Sequence, residues 1–336
     1  MTLQEPLQFA PVYVPKVWGG RSLEPYLGPI DASGPIGEVW ELVDRDECSS
    51  VVRGGEFEGR NLRGLMLSES ESLLGATAAA TCEYFPLLVK LLDATQDLSV
   101  QVHPDRRAAR RIGGGAAGKT EAWFILSAEP GSTIHLGLQP GVDAKAFAEK
   151  AATPEVVDLL QTHEVKPGQF ILVPPGTVHS IGRGITLVEI QENSDTTYRL
   201  FDWGRAGMDG QPRELHTEQA LCSMDYEQVL EGPVEPVINA DTAAQVRLAD
   251  CDAFAIDLLR LHGSETGDTD GRALVYVVVE GSGMLITSGG IERRIGRGET
   301  WLLPASIGEH RFASVEGELR VLRVELRAPA KEDRGE

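Results

Sequence analysis

Two stretches of this chain carry the same pattern, so whatever fold it adopts must accommodate that pattern twice. Gly168-Gln-Phe-Ile-Leu-Val-Pro174-Pro is matched in spacing and polarity by Gly298-Glu-Thr-Trp-Leu-Leu-Pro304-Ala. A glycine turn, a four-residue apolar run and a proline stop describe a short buried strand, because proline cannot continue a sheet ladder. The repetition predicts two similar β-rich units. At 336 residues the chain has room for two ordinary domains, each with its own core.

The first copy continues through Gly176 to His179, where the second has Ser306 and Glu309. Upstream, Ser99-Val-Gln101-Val-His103 alternates, which places Gln101 and His103 on one face of a strand. Glu121 precedes the apolar run Ala122-Trp-Phe-Ile-Leu126, which reads as the next strand. A lone histidine at a strand end is ordinary. Two imidazoles, an amide and a carboxylate delivered in this order by one unit form a four-ligand set for a divalent metal. Val275-Tyr-Val-Val-Val-Glu-Gly-Ser-Gly283 offers no counterpart of Gln101 or His103, so the second unit is expected to lack metal ligands and to supply core and a cleft wall. His135, His163, His216, His262 and His310 lack such company and read as structural or surface residues.

Between these landmarks, strands are expected at 37–43, 88–93, 98–103 and from Gln169 through Phe201. Short helices are expected within 61–74 and 79–92. The apolar spacing of 142–163 predicts two short helices separated at Pro154. Domain limits follow: 1–215 for the first unit with its helical segments, 216–245 for a Pro/Glu-rich connector with a helix over 217–224, 246–327 for the second unit, and 328–336 for a disordered charged tail.

Composition excludes several classes. A net charge of −20 leaves no basic face for nucleic acid, and a site for an anionic substrate must gather cations locally. No basic leader with an apolar core opens the chain and no apolar run approaches a membrane span, so a cytoplasmic protein is expected. Cys48, Cys82, Cys222 and Cys251 are scattered without metal-binding spacing, which suits reduced thiols in that compartment. Gly113-Gly-Gly-Ala-Ala-Gly118-Lys119-Thr120 matches the phosphate-loop pattern. Its flanks are reversed, with a helical segment before it and a strand after it. It reads instead as a glycine loop that carries Lys119 and Glu121 to the cleft. Gln191 to Arg205 holds Asp195, Arg199 and Arg205, and a guanidinium there can grip a phosphate or polarise a substrate oxygen.

With these residues in place, the chain resembles the type I phosphomannose isomerases of the cupin superfamily, in their short bacterial form. Val17-Trp18-Gly19-Gly20, Ile36-Gly37-Glu38-Val-Trp40-Glu41-Leu42 and Phe85-Pro-Leu-Leu-Val-Lys90 carry the resemblance, with Leu98-Ser99-Val-Gln101-Val-His103-Pro104-Asp105, Gly118-Lys119-Thr-Glu121-Ala-Trp123 and Val173-Pro-Pro-Gly-Thr-Val-His179. It implies a mainly β fold of two cupin-type jelly-roll barrels with short helices. It also implies one zinc ion held by Gln101, His103, Glu121 and His179, other divalent metals being compatible with the same donors. Arg199 is then the catalytic arginine, Ser99 and Lys119 lie near the substrate, and Arg205 is a substrate-binding residue. The implied reaction interconverts mannose 6-phosphate and fructose 6-phosphate by proton transfer between C1 and C2 through an enediolate. Lys119, Asp195 and Glu189 stay open as the general base. The expected assembly is a monomer or homodimer, its partner a sugar phosphate. Another cupin metalloenzyme, either an oxygenase or an isomerase of unphosphorylated sugar, and a non-catalytic sugar-binding module remain the competing readings.

Overall fold

A computed structural model describes residues 3–238, 245–315 and 317–327. The first unit contains β1 (Val12–Gly20), β2 (Ile36–Leu42), β3 (Leu87–Ala94), β4 (Val100–Val102), β5 (Glu121–Ala128), β6 (Thr133–Leu138), β7 (Leu160–Glu164), β8 (Phe170–Val173), β9 (His179–Ile181), β10 (Ile185–Glu192) and β11 (Tyr198–Phe201). They form a six-stranded sheet in the order β1-β2-β3-β10-β5-β8 and a five-stranded sheet in the order β11-β4-β9-β6-β7. The second unit contains β12 (Gln245–Asp250), β13 (Phe254–Leu261), β14 (Ser264–Asp268), β15 (Leu274–Glu280), β16 (Ser282–Thr287), β17 (Glu292–Gly296), β18 (Thr300–Leu303), β19 (Glu309–Ser314) and β20 (Leu319–Leu326). Its sheets run β12-β13-β20-β15-β18 and β14-β19-β16-β17. The orders β3-β10-β5-β8 and β13-β20-β15-β18 are the same arrangement used twice, with the repeated motif supplying β8 and β18. Each unit is a pair of open sheets, where closed barrels were expected.

Period-two alternation decides which side chains face which layer. In β10, Val188 and Ile190 enter a core continuous with Ile256, Val275, Val277, Leu322 and Val324 of the second unit. Ile185 and Leu187 on the other face meet Ile134, Leu136 and Ile181 of the five-stranded sheet. The large sheets of the two units therefore pack back to back. The start of the chain reinforces the junction: Leu7 and Leu302 exchange both backbone hydrogen bonds at 2.8 Å, and Arg293 pairs with Glu5.

Helices form where caps and spacing favour them. Asn61 caps Leu62–Leu74 through the Gly64 amide at 2.7 Å, and Asp105 caps Arg106–Ile112 through Ala108. Two expectations fail. Within 79–92 no helix continues past Ala79, because Pro86 and the start of β3 at Leu87 take the chain into the sheet. Within 142–163 only Ala144–Lys150 is α-helical; Pro154 opens a 3-10 turn to Leu159, and 160–164 becomes the edge strand β7. Pairing with β6 decides that segment over its helical apolar spacing. The connector helix spans Thr217–Ser223, while connector residues 239–244 and the tail 328–336 lie outside the described residues. Among the described residues no helix is long and apolar enough to cross a membrane.

One carboxyl at the junction between units is costly to ionise. Glu41 is buried, and burial together with nearby Glu299 raises its pKa from 4.5 to about 8, against the opposing pull of Arg53 and the Thr300 backbone. Above the unfolded value the unfolded chain releases this proton while the folded chain keeps it, so stability falls as pH rises between about 4.5 and 8. Glu41→Gln should flatten that decline, raising stability near pH 8 relative to the parent by on the order of a few kcal/mol. Denaturation midpoints of parent and variant measured across pH 5 to 8 decide it; parallel curves would remove Glu41 from the account.

Candidate metal centre and the charged cleft beside it

Register aligns the polar residues before any side chain is considered. Across the five-stranded sheet Arg199 pairs with Gln101 and Gln101 with His179. Across the six-stranded sheet Trp40 pairs with Lys90, Lys90 with Glu189, and Glu189 with Trp123. The two rows face each other over a cavity of about 250 Å³. Gly176, at a φ of 84° that a side chain would strain, makes the turn into His179, and its amide donates to the His103 carbonyl at 2.8 Å. That bond ties the approach to one histidine to the backbone of the other.

His103, Glu121 and His179 present one ligand atom each, all within 4.8 Å of one another, and all three are buried. His103 Nδ1 lies 2.8 Å from the Thr196 carbonyl and His179 Nδ1 2.9 Å from the Thr177 carbonyl. Each Nδ1 therefore carries its proton and donates, leaving the Nε2 lone pair aimed inward. Burial and then the Lys119 charge push His103 down to about 4, and burial lowers His179, so both rings are neutral. Burial opposes charge on Glu121, but its cationic surroundings, the Lys119 ammonium first among them, hold its carboxyl well below the usual range. Two acceptors, His103 Nε2 and Glu121 Oε1, then stand 3.2 Å apart. His103 Nε2 and Glu121 Oε2 are buried with no hydrogen-bond partner. Converging unpartnered acceptors are what a cation site requires, and the donor set fits a divalent metal. Gln101 stands beside the trio with its amide nitrogen 3.2 Å from His179 Nε2 and its oxygen accepting from Ser99 at 3.0 Å.

Beside this centre runs a chain of opposed charges. Lys16 meets Glu38 at 3.1 Å, Lys90 meets Glu189 at 2.8 Å, and Lys119 meets Glu121 at 2.5 Å. Trp40 donates to Glu38 and Trp123 to Glu189. Ser99, Gln101, Lys119, Glu121, Glu189, Asp195 and Arg199 all border the cavity. Arg199 donates to the Glu214 carbonyl at 2.9 Å, keeps a buried unpartnered Nε, and forms no carboxylate ion pair among the described residues. Arg205 stands back from the wall, bound to Asp202 at 2.8 Å and to the Asp97 carbonyl. Asp195 sits at the rim, 74% exposed and 2.8 Å from Arg45. Sequence reasoning missed Lys16, Glu38, Arg45, Lys90 and Arg213 as wall residues. Lys90 was detectable, since a lysine inside Leu87-Leu-Val-Lys90-Leu-Leu92 must point a charge into a layer. The glycine run follows the helix Arg106–Ile112 and precedes β5, the reverse of a phosphate loop, and it delivers Lys119 and Glu121 to the cleft.

The second unit keeps part of this layout. His310 Nδ1 lies 3.1 Å from the Gly308 carbonyl, as His179 does from Thr177, and the Tyr276 and His310 rings are 5.6 Å apart where Trp123 and His179 are 5.5 Å apart. His310 is thus the counterpart of His179, displacing Glu309 from that role. Its Nε2 accepts from the Tyr276 hydroxyl at 2.8 Å.

Comparison with known proteins shows which of them this chain resembles. The profile described as phosphomannose isomerase type I, catalytic domain, matches residues 7–123, and that of the mannose-6-phosphate isomerase cupin domain matches 245–326. Mannose-6-phosphate isomerase ManA of Bacillus subtilis is 35% identical over 308 residues, covering 92% of this chain and 96% of that protein. Mannose-6-phosphate isomerase of Streptococcus mutans is 32% identical, covering 95% of this chain and 98% of that protein. The crystal structure of the Bacillus subtilis mannose 6-phosphate isomerase superposes with a TM-score of 0.85 at 28% identity, covering 96% of this chain and 99% of that one.

Purified chain dialysed against a divalent metal should retain about one ion per molecule, and His103→Ala or Glu121→Gln should weaken retention by about a hundredfold or more. Metal analysis alongside chelator competition reads this directly. Equal retention by parent and variants would place the ion elsewhere.

Proposed function

Because the chain belongs to the type I phosphomannose isomerase family and is an aldose–ketose isomerase, we propose that it interconverts mannose 6-phosphate and fructose 6-phosphate at a zinc centre held by Gln101, His103, Glu121 and His179. The observation that carries the metal is the pair of buried, unpartnered acceptors, His103 Nε2 and Glu121 Oε2. Rotating the Gln101 amide about its last bond exchanges nitrogen for oxygen and makes it the fourth donor. We read both units as cupin-type jelly rolls, the second contributing no ligand. The free cysteines suit a cytoplasmic enzyme.

Proton transfer between C1 and C2 passes through an enediolate, so negative charge must be stabilised on O1 and O2. Zinc, when bound, supplies Lewis-acid stabilisation of those oxygens. The protein keeps this centre positive, since one carboxylate is its only anionic donor and Lys119 neutralises part of that charge. Arg199 lies in the same sheet row as Gln101 and His179, and its unpaired guanidinium is available to a developing oxyanion. For the base, Glu189 has the better position. It is a wall residue of the cavity, oriented by Trp123 and by Lys90 at 2.8 Å, whereas Asp195 is at the exposed rim and Lys119 is committed to Glu121. Ser99 orients Gln101 and borders the space for the sugar, and Arg205 acts through Asp202, which also holds the wall residue Arg213.

Turnover of mannose 6-phosphate in a coupled assay, abolished by chelator and restored by zinc, is the expected result; a folded, zinc-loaded chain without turnover would sink the reading. Arg199→Ala should lower kcat by about a hundredfold or more with a smaller change in KM. Glu189→Gln should lower kcat by about two to four powers of ten, and a variant with near-normal kcat would return the base to Lys119 or Asp195.

A further inference from the structure

Resting on the isomerase reading, the way each cation of the cleft is paired identifies one more substrate-binding residue. Lys16, Lys90 and Lys119 are held by the buried carboxylates Glu38, Glu189 and Glu121. Arg213 is held by buried Asp202 through two nitrogens. Releasing any of them would strand a buried charge, which is strongly unfavourable. Arg45 differs. Its side chain is only 15% exposed, yet those of its partners, Glu47 at 2.5 Å and Asp195 at 2.8 Å, are 55% and 74% exposed. Both carboxylates can turn to water at little cost, because exposed ion pairs contribute little.

The backbone beneath Arg45 is rigidly fixed. Asp44 is fully buried and accepts from Arg63, Ser49 and the Phe85 amide, while its carbonyl accepts from Asn193 at 2.6 Å. Arg45 is therefore presented from an anchored loop over the Ser194–Asp195 segment. Arg45 and Ser194 border both the 250 Å³ cavity of the metal centre and an outer cavity of about 590 Å³. Arg45 therefore lies where the two cavities meet.

We propose that Arg45 binds the phosphate of the incoming sugar phosphate by exchanging Asp195 and Glu47 for the phosphate oxygens, and so sets the preference for phosphorylated over unphosphorylated sugar. The exchange replaces two solvent-screened carboxylates by one dianion on a planar fork suited to two parallel bonds. Arg199 is left to the reacting oxygens.

The test is steady-state kinetics of the zinc-loaded enzyme with mannose 6-phosphate, and competitive inhibition by inorganic phosphate, for the parent, Arg45→Ala and Arg45→Lys. Arg45→Ala should raise KM by about ten- to a hundredfold and weaken phosphate inhibition in parallel, with kcat changed less than about threefold. Arg45→Lys, which keeps the charge and loses the fork, should fall between. It also serves as the working variant should Arg45→Ala fail to fold. Unchanged KM and phosphate inhibition would overturn the proposal, as would a loss confined to kcat. A parent enzyme without turnover would remove the isomerase reading instead, a separate outcome from an active parent indifferent to Arg45.

Discussion

The architecture of the first unit turns on one buried carboxylate. Glu121 is 1% exposed, and a charge so placed is tolerable only if cations and dipoles surround it. Lys119 meets the need from two residues upstream, with its alkyl chain in the wall and its ammonium on Oε1. His103 and His179, fixed by their Nδ1 protons to backbone carbonyls, cannot turn to donate to it. The result is a buried cluster with lone pairs that no side chain or backbone donor satisfies, His103 Nε2 and Glu121 Oε2 among them. Positioning Glu121 needs the capped helix, the glycine loop and β5 in sequence. That explains why so conspicuous a glycine run serves geometry and not phosphate binding.

The duplicated unit shows how the same frame accommodates other chemistry. Lys90 opposite Glu189 becomes Asp257 opposite Arg323, an ion pair of reversed polarity at the same register, with Arg323 2.7 Å from Asp257. Trp123 becomes Tyr276, whose hydroxyl donates to His310 Nε2, the nitrogen equivalent to His179 Nε2. Leu274 takes the place of Glu121, paired to Leu303 as Glu121 is to Val173. Of these four substitutions, Trp123 to Tyr276 and Glu121 to Leu274 replace converging acceptors by a satisfied hydrogen bond. The frame survives because its stability comes from apolar faces shared between the two large sheets, which do not depend on the interior polar residues.

Much of this was legible in the sequence for specific reasons. The strand holding Gln101 and His103, the turn at Gly176 and the carboxylate opening an apolar run are local patterns, so the convergence of His103, Glu121 and His179 could be expected from alternation and turn chemistry. Second-unit residues were misaligned by one, since Glu309 and His310 are adjacent and only the contacts of His310 with Gly308 and Tyr276 distinguish their roles. Segment 142–163 looked helical because its apolar spacing fits 3.6 as well as it fits a turn followed by an edge strand; pairing with β6, remote in sequence, chose between them. Arg45 and Arg213 were invisible for the same reason. Nothing local distinguishes an arginine in an acidic chain as a wall residue until the sheets bring Asp44 to Asn193 and Asp202 to Arg213.

The pairing pattern of the cleft cations also bears on how a strongly acidic chain binds an anion at all. With a net charge of −20, the long-range field opposes a sugar phosphate, so affinity must come from groups at contact distance. Cations locked to buried carboxylates contribute little net attraction, because each arrives with its counter-charge. Two guanidinia escape that cancellation by different routes. Arg199 has a carbonyl and no carboxylate, and Arg45 has carboxylates that water can take over. Their positions divide the work along the substrate. Arg199 shares a row with Gln101 and His179, and Arg45 stands where the two cavities meet. In the proposed arrangement a sugar phosphate engages both, and an unphosphorylated sugar only the inner one.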